Sequence, residues 1–159
     1  MPIPSQTATF GIDQIIQIKI PKGVDLSCAI QESVEQNNID SAVILSGIGA
    51  LKKGVFRNLR VEPKKYPVTN QDRLYLVVKK PLELVSLTGW VAQRTDGKIE
   101  VHAHFAASYV EGDTVRTVGG HLTEGTETSI KVIVTLGILK ECQKAAVDPL
   151  HQQWDLDLE

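Results

Sequence analysis

The sequence predicts an α+β fold, a mostly antiparallel, twisted β-sheet with one main flanking helix, and three observations carry that prediction. Apolar and polar residues alternate over most of the chain, as half-buried strands require. One stretch, Asp25 to Asn38, instead places its apolar residues at helical spacing. Between two extended runs stands Asp96-Gly97, a strong short-range hairpin signal. The 159 residues, 42% hydrophobic and 23% charged, suit one well-buried core and are short for two. They divide into an N-terminal extension (1–10), a domain (11–139) and a polar C-terminal tail (140–159).

Gln14 to Ile20 reads as a strand, with Ile16, Ile18 and Ile20 on one face and Gln17 and Lys19 on the other; Pro21-Lys22-Gly23 ends it. The helix comes next, capped by Asp25 and terminated by two asparagines, with Leu26, Ala29, Ile30 and Val34 on its apolar face. Ser41 to Leu45 is a short strand, and Ser46-Gly47-Ile48-Gly49-Ala50-Leu51 breaks into a second extended run through Phe56 and Leu59. These glycines superficially match a dinucleotide fingerprint, which must open a helix; Leu51 to Arg60 reads as a strand, so nucleotide binding is not expected.

From Asn58 to Arg73 the chain is polar, with Pro63 and Pro67, and reads as a surface loop. Arg57, Arg60, Lys64 and Lys65 make a mild basic patch, expected as a solvated face. Leu74 to Val78 and Leu82 to Gln93 are strands, and Asp96-Gly97 turns the second back on the next. Thr114 to Val118 leads into Gly119-Gly120-His121-Leu122, where paired glycines are expected to form a loop. A last strand carries Thr128, Ile130, Val132, Val134, Leu136 and Ile138 on its apolar face, and Trp154 and Leu156 are expected to dock the tail.

Seventeen basic against nineteen acidic residues leave a net charge of −2, which offers no global attraction to nucleic acid. Cys28 and Cys142 form no C-x-x-C pair and read as reduced thiols. Met1 to Ser5 lacks the basic start of a secretion signal, and no apolar run approaches the ~20 residues of a membrane helix. The expectation is a cytoplasmic protein with no membrane partner.

The chemistry concentrates in histidines. His102 and His104 are two apart on a strand and share a face, and the glycine loop can bring in His121. Three neutral imidazoles with a vacant fourth position suit a divalent ion of the zinc class. A two-residue turn at Asp96-Gly97 would set His102 opposite Val91 and His104 opposite Gly89, with Val85, Leu87 and Val91 on the histidine face. A sheet apolar on both sides needs more cover than one helix supplies, so self-association is expected. In that register Glu83 lies opposite Val110, roughly 20 Å from the site at ~3.3 Å per residue, and could reach it only across a subunit interface. Glu100 shares the histidine face and could orient an imidazole.

Leu84-Val85-Ser86-Leu87-Thr88-Gly89, the Asp-Gly turn, His102-x-His104 and Val118-Gly119-Gly120-His121-Leu122, with Ser46-Gly47-Ile48-Gly49 upstream, resemble the PPC domain (plants and prokaryotes conserved) from about Gly11 to Leu139. The resemblance implies a trimer-forming domain whose prokaryotic members bind metal through the histidines, here His102, His104 and His121. Gly89, Gly119 and Gly120 would then border the site. Plant relatives add an Arg-Gly-Arg-Pro hook for the A·T minor groove, which this chain lacks. Three readings remain: a zinc-class metal-binding homotrimer open to a small-molecule ligand, a DNA-associated regulatory protein, and a small metal-dependent enzyme. No Ser-His-Asp or Cys-His arrangement competes with the metal.

Overall fold

The computed structural model describes residues 5–158, so residues 1–4 of the N-terminal extension lie outside it. In chain order the strands are β1 (Ile12–Pro21), β2 (Ala42–Leu59), β3 (Arg73–Val78), β4 (Leu82–Arg94), β5 (Ile99–Glu111), β6 (Thr114–Leu122), β7 (Glu127–Leu139), β8 (Lys144–Val147) and β9 (Trp154–Asp157). Between β1 and β2 runs the helix α1 (Leu26–Gln36). The Asp25 carboxylate caps it by accepting the Cys28 N–H at 3.0 Å, and its other oxygen takes the Gly125 N–H. Its buried residues are the four that the spacing singles out, Leu26, Ala29, Ile30 and Val34. No described helix is long and apolar enough to cross a membrane.

All nine strands belong to one sheet, ordered β1-β7-β2-β6-β5-β4-β8-β9 with β3 beside β2. The long β2 is what bends it. Its first half pairs with β4 and β7 and its second half with β3 and β6, so the path β2-β6-β5-β4 returns to β2. Phe56 of β2 and Phe105 of β5 stack inside this closure at 4.4 Å, buried with Leu84, Leu87 and Leu122. The break expected at Ser46–Leu51 is therefore a bend within one continuous strand, taken up by register shifts. The sheet covers its own apolar face by curling, with α1 completing the same core.

The hairpin between β4 and β5 corrects the expected register. Arg94 and Lys98 close it through a backbone bond of 2.8 Å, leaving three loop residues, Thr95, Asp96 and Gly97, instead of two. Gly97, at φ +86°, supplies the left-handed residue that such a loop requires. Each pairing moves by one, so His102 faces Trp90 and His104 faces Thr88, not Val91 and Gly89. Leu87 and Val91 consequently point into the core opposite Phe105 and Val101. Val85 sits at a bulge between Leu84 and Ser86, exposed, and the bulge sets Glu83 opposite Ser108, not Val110.

Two further expectations change. The Gly119-Gly120 segment is no loop but the interior of β6. On β7, Ile130 faces solvent while Thr128, Val132, Val134 and Leu136 are buried. The tail adds strands to the sheet: β8 runs parallel to β4 and pairs with β9. Buried Gln143 anchors it, donating from Nε2 to the Val91 carbonyl (3.1 Å) and from its backbone N–H to Ser41 Oγ (2.8 Å). Trp154 docks under the Arg94 guanidinium at 3.8 Å.

Candidate metal centre

Strand pairing assembles the site. His104 on β5 lies directly opposite His121 on β6, which lies opposite Arg57 on β2, which lies opposite Tyr75 on β3. Residues opposed across a ladder share a face, so this row crosses four strands on the side away from Phe56, Phe105 and Leu122. His102 joins it from two residues along β5. His121 reaches the site by ladder pairing, without any turn of the chain.

Gly120 makes the packing possible: a Cβ there would lie 2.6 Å from Asn58 Nδ2 and 2.9 Å from the Arg57 carbonyl. At Gly119 the corresponding atom would meet the Phe105 carbonyl at 3.1 Å, and the Gly119 carbonyl itself accepts from Asn58 Nδ2 at 2.9 Å. The glycines serve close strand approach here, not a turn.

One nitrogen from each of the three imidazoles lies within 4.8 Å of the others. His102 Nε2 and His104 Nε2 are 3.2 Å apart, their rings stacked at 5.2 Å and 20°. His121 stands edge-on to both, at 4.7 and 5.1 Å. Tetrahedral zinc with nitrogen bonds of about 2.0–2.1 Å holds its nitrogens about 3.3 Å apart, so the donor set fits that ion in chemistry and the His102–His104 pair stands at its spacing. Trp90 stacks on the outer side of His102 at 5.1 Å and 17°.

Electrostatics keep the imidazoles neutral. Burial pushes all three below the usual histidine value, and the Arg57 charge acts in the same direction on each. His121 is the extreme, pushed down to about 3 by burial, then by Arg57 and the other two histidines. Between pH 6.5 and about 3 the unfolded chain therefore takes up a proton that folded His121 refuses, and stability falls with pH. Metal-free protein is expected to melt progressively lower across that window. A His121→Asn variant should flatten the dependence, and equal slopes would refute the assignment.

The accessory residues divide. Glu100 shares the histidine face, but its carboxylate bonds Arg94 Nη1 at 3.2 Å and is held away from the rings. Glu83 is exposed and, opposite Ser108, stands four residues along the ladder from His104. Gly89 backs the site from β4: a Cβ there would lie 2.1 Å from the His102 carbonyl.

Sequence reasoning missed Arg57, Arg73, Trp90 and Asp155. Arg57 reads as part of a solvated basic patch on an extended run until β2 is seen to pair with β6 and set it opposite His121. Trp90 changes face with the hairpin register. Asp155, on β9, comes near enough for its carboxylate to oppose the drop in the His102 pKa.

Beside the histidines opens a cavity of about 600 Å³. Its floor is Arg57, Asn58, Arg73, His104 and His121; Tyr66 and His151, in edge-to-face contact at 4.6 Å, stand in the wall. That size matches small-molecule sites, typically about 300–1,000 Å³.

Known proteins share both the sequence pattern and the architecture. The profile of the Plants and Prokaryotes Conserved (PCC) domain matches residues 7–140. A metal-containing protein of Archaeoglobus fulgidus has a similar structure (TM-score 0.74, 25% identity, 96% of this chain and 99% of that one). So has a plant- and prokaryote-conserved protein of Pyrococcus horikoshii (TM-score 0.71, 29% identity, 96% of each chain). A Bacteroides thetaiotaomicron protein whose name suggests DNA binding shares the fold at 16% identity (TM-score 0.74, 94% of this chain and 96% of that one). No curated protein matches the sequence.

Proposed function

This chain belongs to the Plants and Prokaryotes Conserved (PCC) domain family, and from that membership and its site we propose that it is a self-associating domain that binds a zinc-class ion through His102, His104 and His121. The convergence of three neutral imidazoles from paired strands carries the reading. The similar Archaeoglobus fulgidus protein, described as metal-containing, supports it. Bound there, the ion would leave a position open toward the cavity and act as a Lewis acid on an oxygen ligand. Metal analysis of protein prepared without a His-tag or chelator tests it: about one ion per chain is expected, and metal-free protein that takes up no zinc would reject it.

Self-association is inferred from β3. Four consecutive residues, Leu74, Tyr75, Leu76 and Val77, are each about 40% exposed or more, and among the described residues β3 pairs only with β2. An open, apolar edge strand is a template for another chain, and a second subunit removes that liability. We assign it to a homotrimer, the number the family resemblance supplies. Light scattering after size exclusion should give three chains per particle, and Leu76→Asp should shift it to monomer. A wild-type monomer at micromolar concentration would end this reading.

A role on DNA is the second reading, favoured by the names that some structural relatives carry. Charge weighs against it. Lys52 and Lys53 both bond Glu127 (2.7 and 3.7 Å) and Lys80 bonds Glu111 (3.5 Å), so these three lysines are partly neutralised. At physiological salt, duplex binding no tighter than about micromolar and blind to sequence is expected. Tight, sequence-selective gel shifts that survive added salt would reverse the order of the two readings.

A further inference from the structure

We propose that the cavity beside the histidines binds a small organic oxyanion, a carboxylate- or phosphate-bearing metabolite, with its charged group on Arg57 and Arg73 and a second oxygen toward the metal. The second half rests on the metal reading above; the first half does not.

Charge is the first warrant. Arg57 and Arg73 line the same floor as His104 and His121, and neither forms an ion pair within 4.0 Å among the described residues. Both are half-buried. Tyr75, opposite Arg57 in the ladder, favours its protonated form, while burial and the charge of Arg73 work against it. Two guanidiniums side by side in a cleft repel one another, and an anion between them relieves that repulsion. A divalent ion on the histidines would add more positive charge a strand away. Against it stand Glu62, exposed in the cavity wall, and, outside the lining, Asp72 beside Arg73 and Asp155 near His102. Among the residues that line the cavity two arginines face a single carboxylate, Glu62, so positive charge is in excess within this concave surface itself.

Geometry is the second. Guanidinium forks match the two oxygens of a carboxylate or the face of a phosphate, which lysines would hold only as point charges. Arg57 is opposite His121 in the ladder, so an anion on its fork stands one strand from the metal position, within the span of a small bifunctional molecule. Tyr66, Val68 and Pro63 give the cavity an apolar wall for the ligand's carbon skeleton. The open cleft, with a volume of about 600 Å³, fits a metabolite of this kind.

Isothermal titration of malonate, inorganic phosphate and neutral malonamide into wild-type protein, zinc-loaded and chelator-stripped, tests the proposal alongside Arg57→Gln and Arg73→Gln. At least one oxyanion should bind wild type, and malonamide should bind at least tenfold more weakly. Each glutamine variant should weaken the oxyanion by roughly tenfold or more, the scale of a lost charge-assisted bond, with zinc content unchanged. Preference for malonate or for phosphate identifies the head group. Arginine-dependent oxyanion binding in protein that takes up no zinc would sustain the anion site and end the metal reading. Stoichiometric zinc with equal affinity for malonate and malonamide, or with affinity unmoved by either arginine variant, would overturn the proposal. The malonate–malonamide contrast needs only wild-type protein, so an arginine variant that fails to fold leaves the test intact.

Discussion

Replacing His102 and His104 together by alanine is expected to abolish stoichiometric metal binding while leaving the fold in place. The side chains are on the face away from the Phe56–Phe105 core, and His104 is exposed, so truncation opens no buried cavity. Structural zinc sites with four ligands bind with about 10–16 kcal/mol, or about 2.5–4 kcal/mol per ligand, so losing two of three imidazoles costs roughly ten-thousandfold or more in affinity. Metal content after dialysis and circular dichroism at neutral pH provide the two readouts. Stoichiometric zinc in the double variant would place the metal elsewhere. Loss of fold along with metal would show instead that these histidines are structural.

Gly89→Ala is expected to destabilise the protein more than any other single methyl added to the site. The new carbon would sit 2.1 Å from the His102 carbonyl and 2.8 Å from Ala103 Cα. Both are backbone atoms of the paired strand and cannot rotate away, so β4 and β5 must part locally or change register. Overpacking of this kind costs about 3 kcal/mol or more, roughly 6–12 °C in melting temperature for a domain of this length. Because the clash falls on His102, zinc affinity should drop with stability. Gly97→Ala is the contrast: its φ of +86° is strained for alanine, but nothing lies within 4 Å, so the cost should be about 1 kcal/mol with zinc affinity unchanged. Equal effects in a urea titration of the two variants would disprove the steric account.

Local patterns in the sequence foretell local structure here. Helix α1 and its Asp25 cap arise from spacing and chemistry confined to a dozen residues. The metal candidates come from the two-residue period of a strand, which puts His102 and His104 on one face in any register. What fails is whatever depends on counting across a turn. Asp96-Gly97 signals a hairpin, but whether two or three residues form the loop is decided by Arg94 and Lys98 bonding across it, and one residue of error moves Trp90, Leu87 and Val91 to the wrong face. Long-range pairing is still less visible. That β2 bends to meet β4 with one half and β6 with the other, bringing Arg57 beside His121, depends on contacts between 31 and 66 residues apart. The paired glycines of β6 are legible as unusual, but their purpose is clear only once Asn58 and Arg57 are seen to pack over them.

The anchoring of the tail by Gln143 separates two jobs along the chain. Every imidazole donor and both arginines fall within residues 7–140, the stretch that matches the family, whereas His151 and Gln153 of the cavity wall and Asp155 beside His102 come after it. Buried Gln143, bonded through its side chain to Val91 and through its backbone N–H to Ser41, holds that second piece in place together with the β4–β8 pairing and the Trp154–Arg94 contact. The chain is thus built as a fixed chemical head with an interchangeable lining. Substitutions at His151 and Gln153 would change the cavity wall without touching the three histidines or the strands β5 and β6 that carry them.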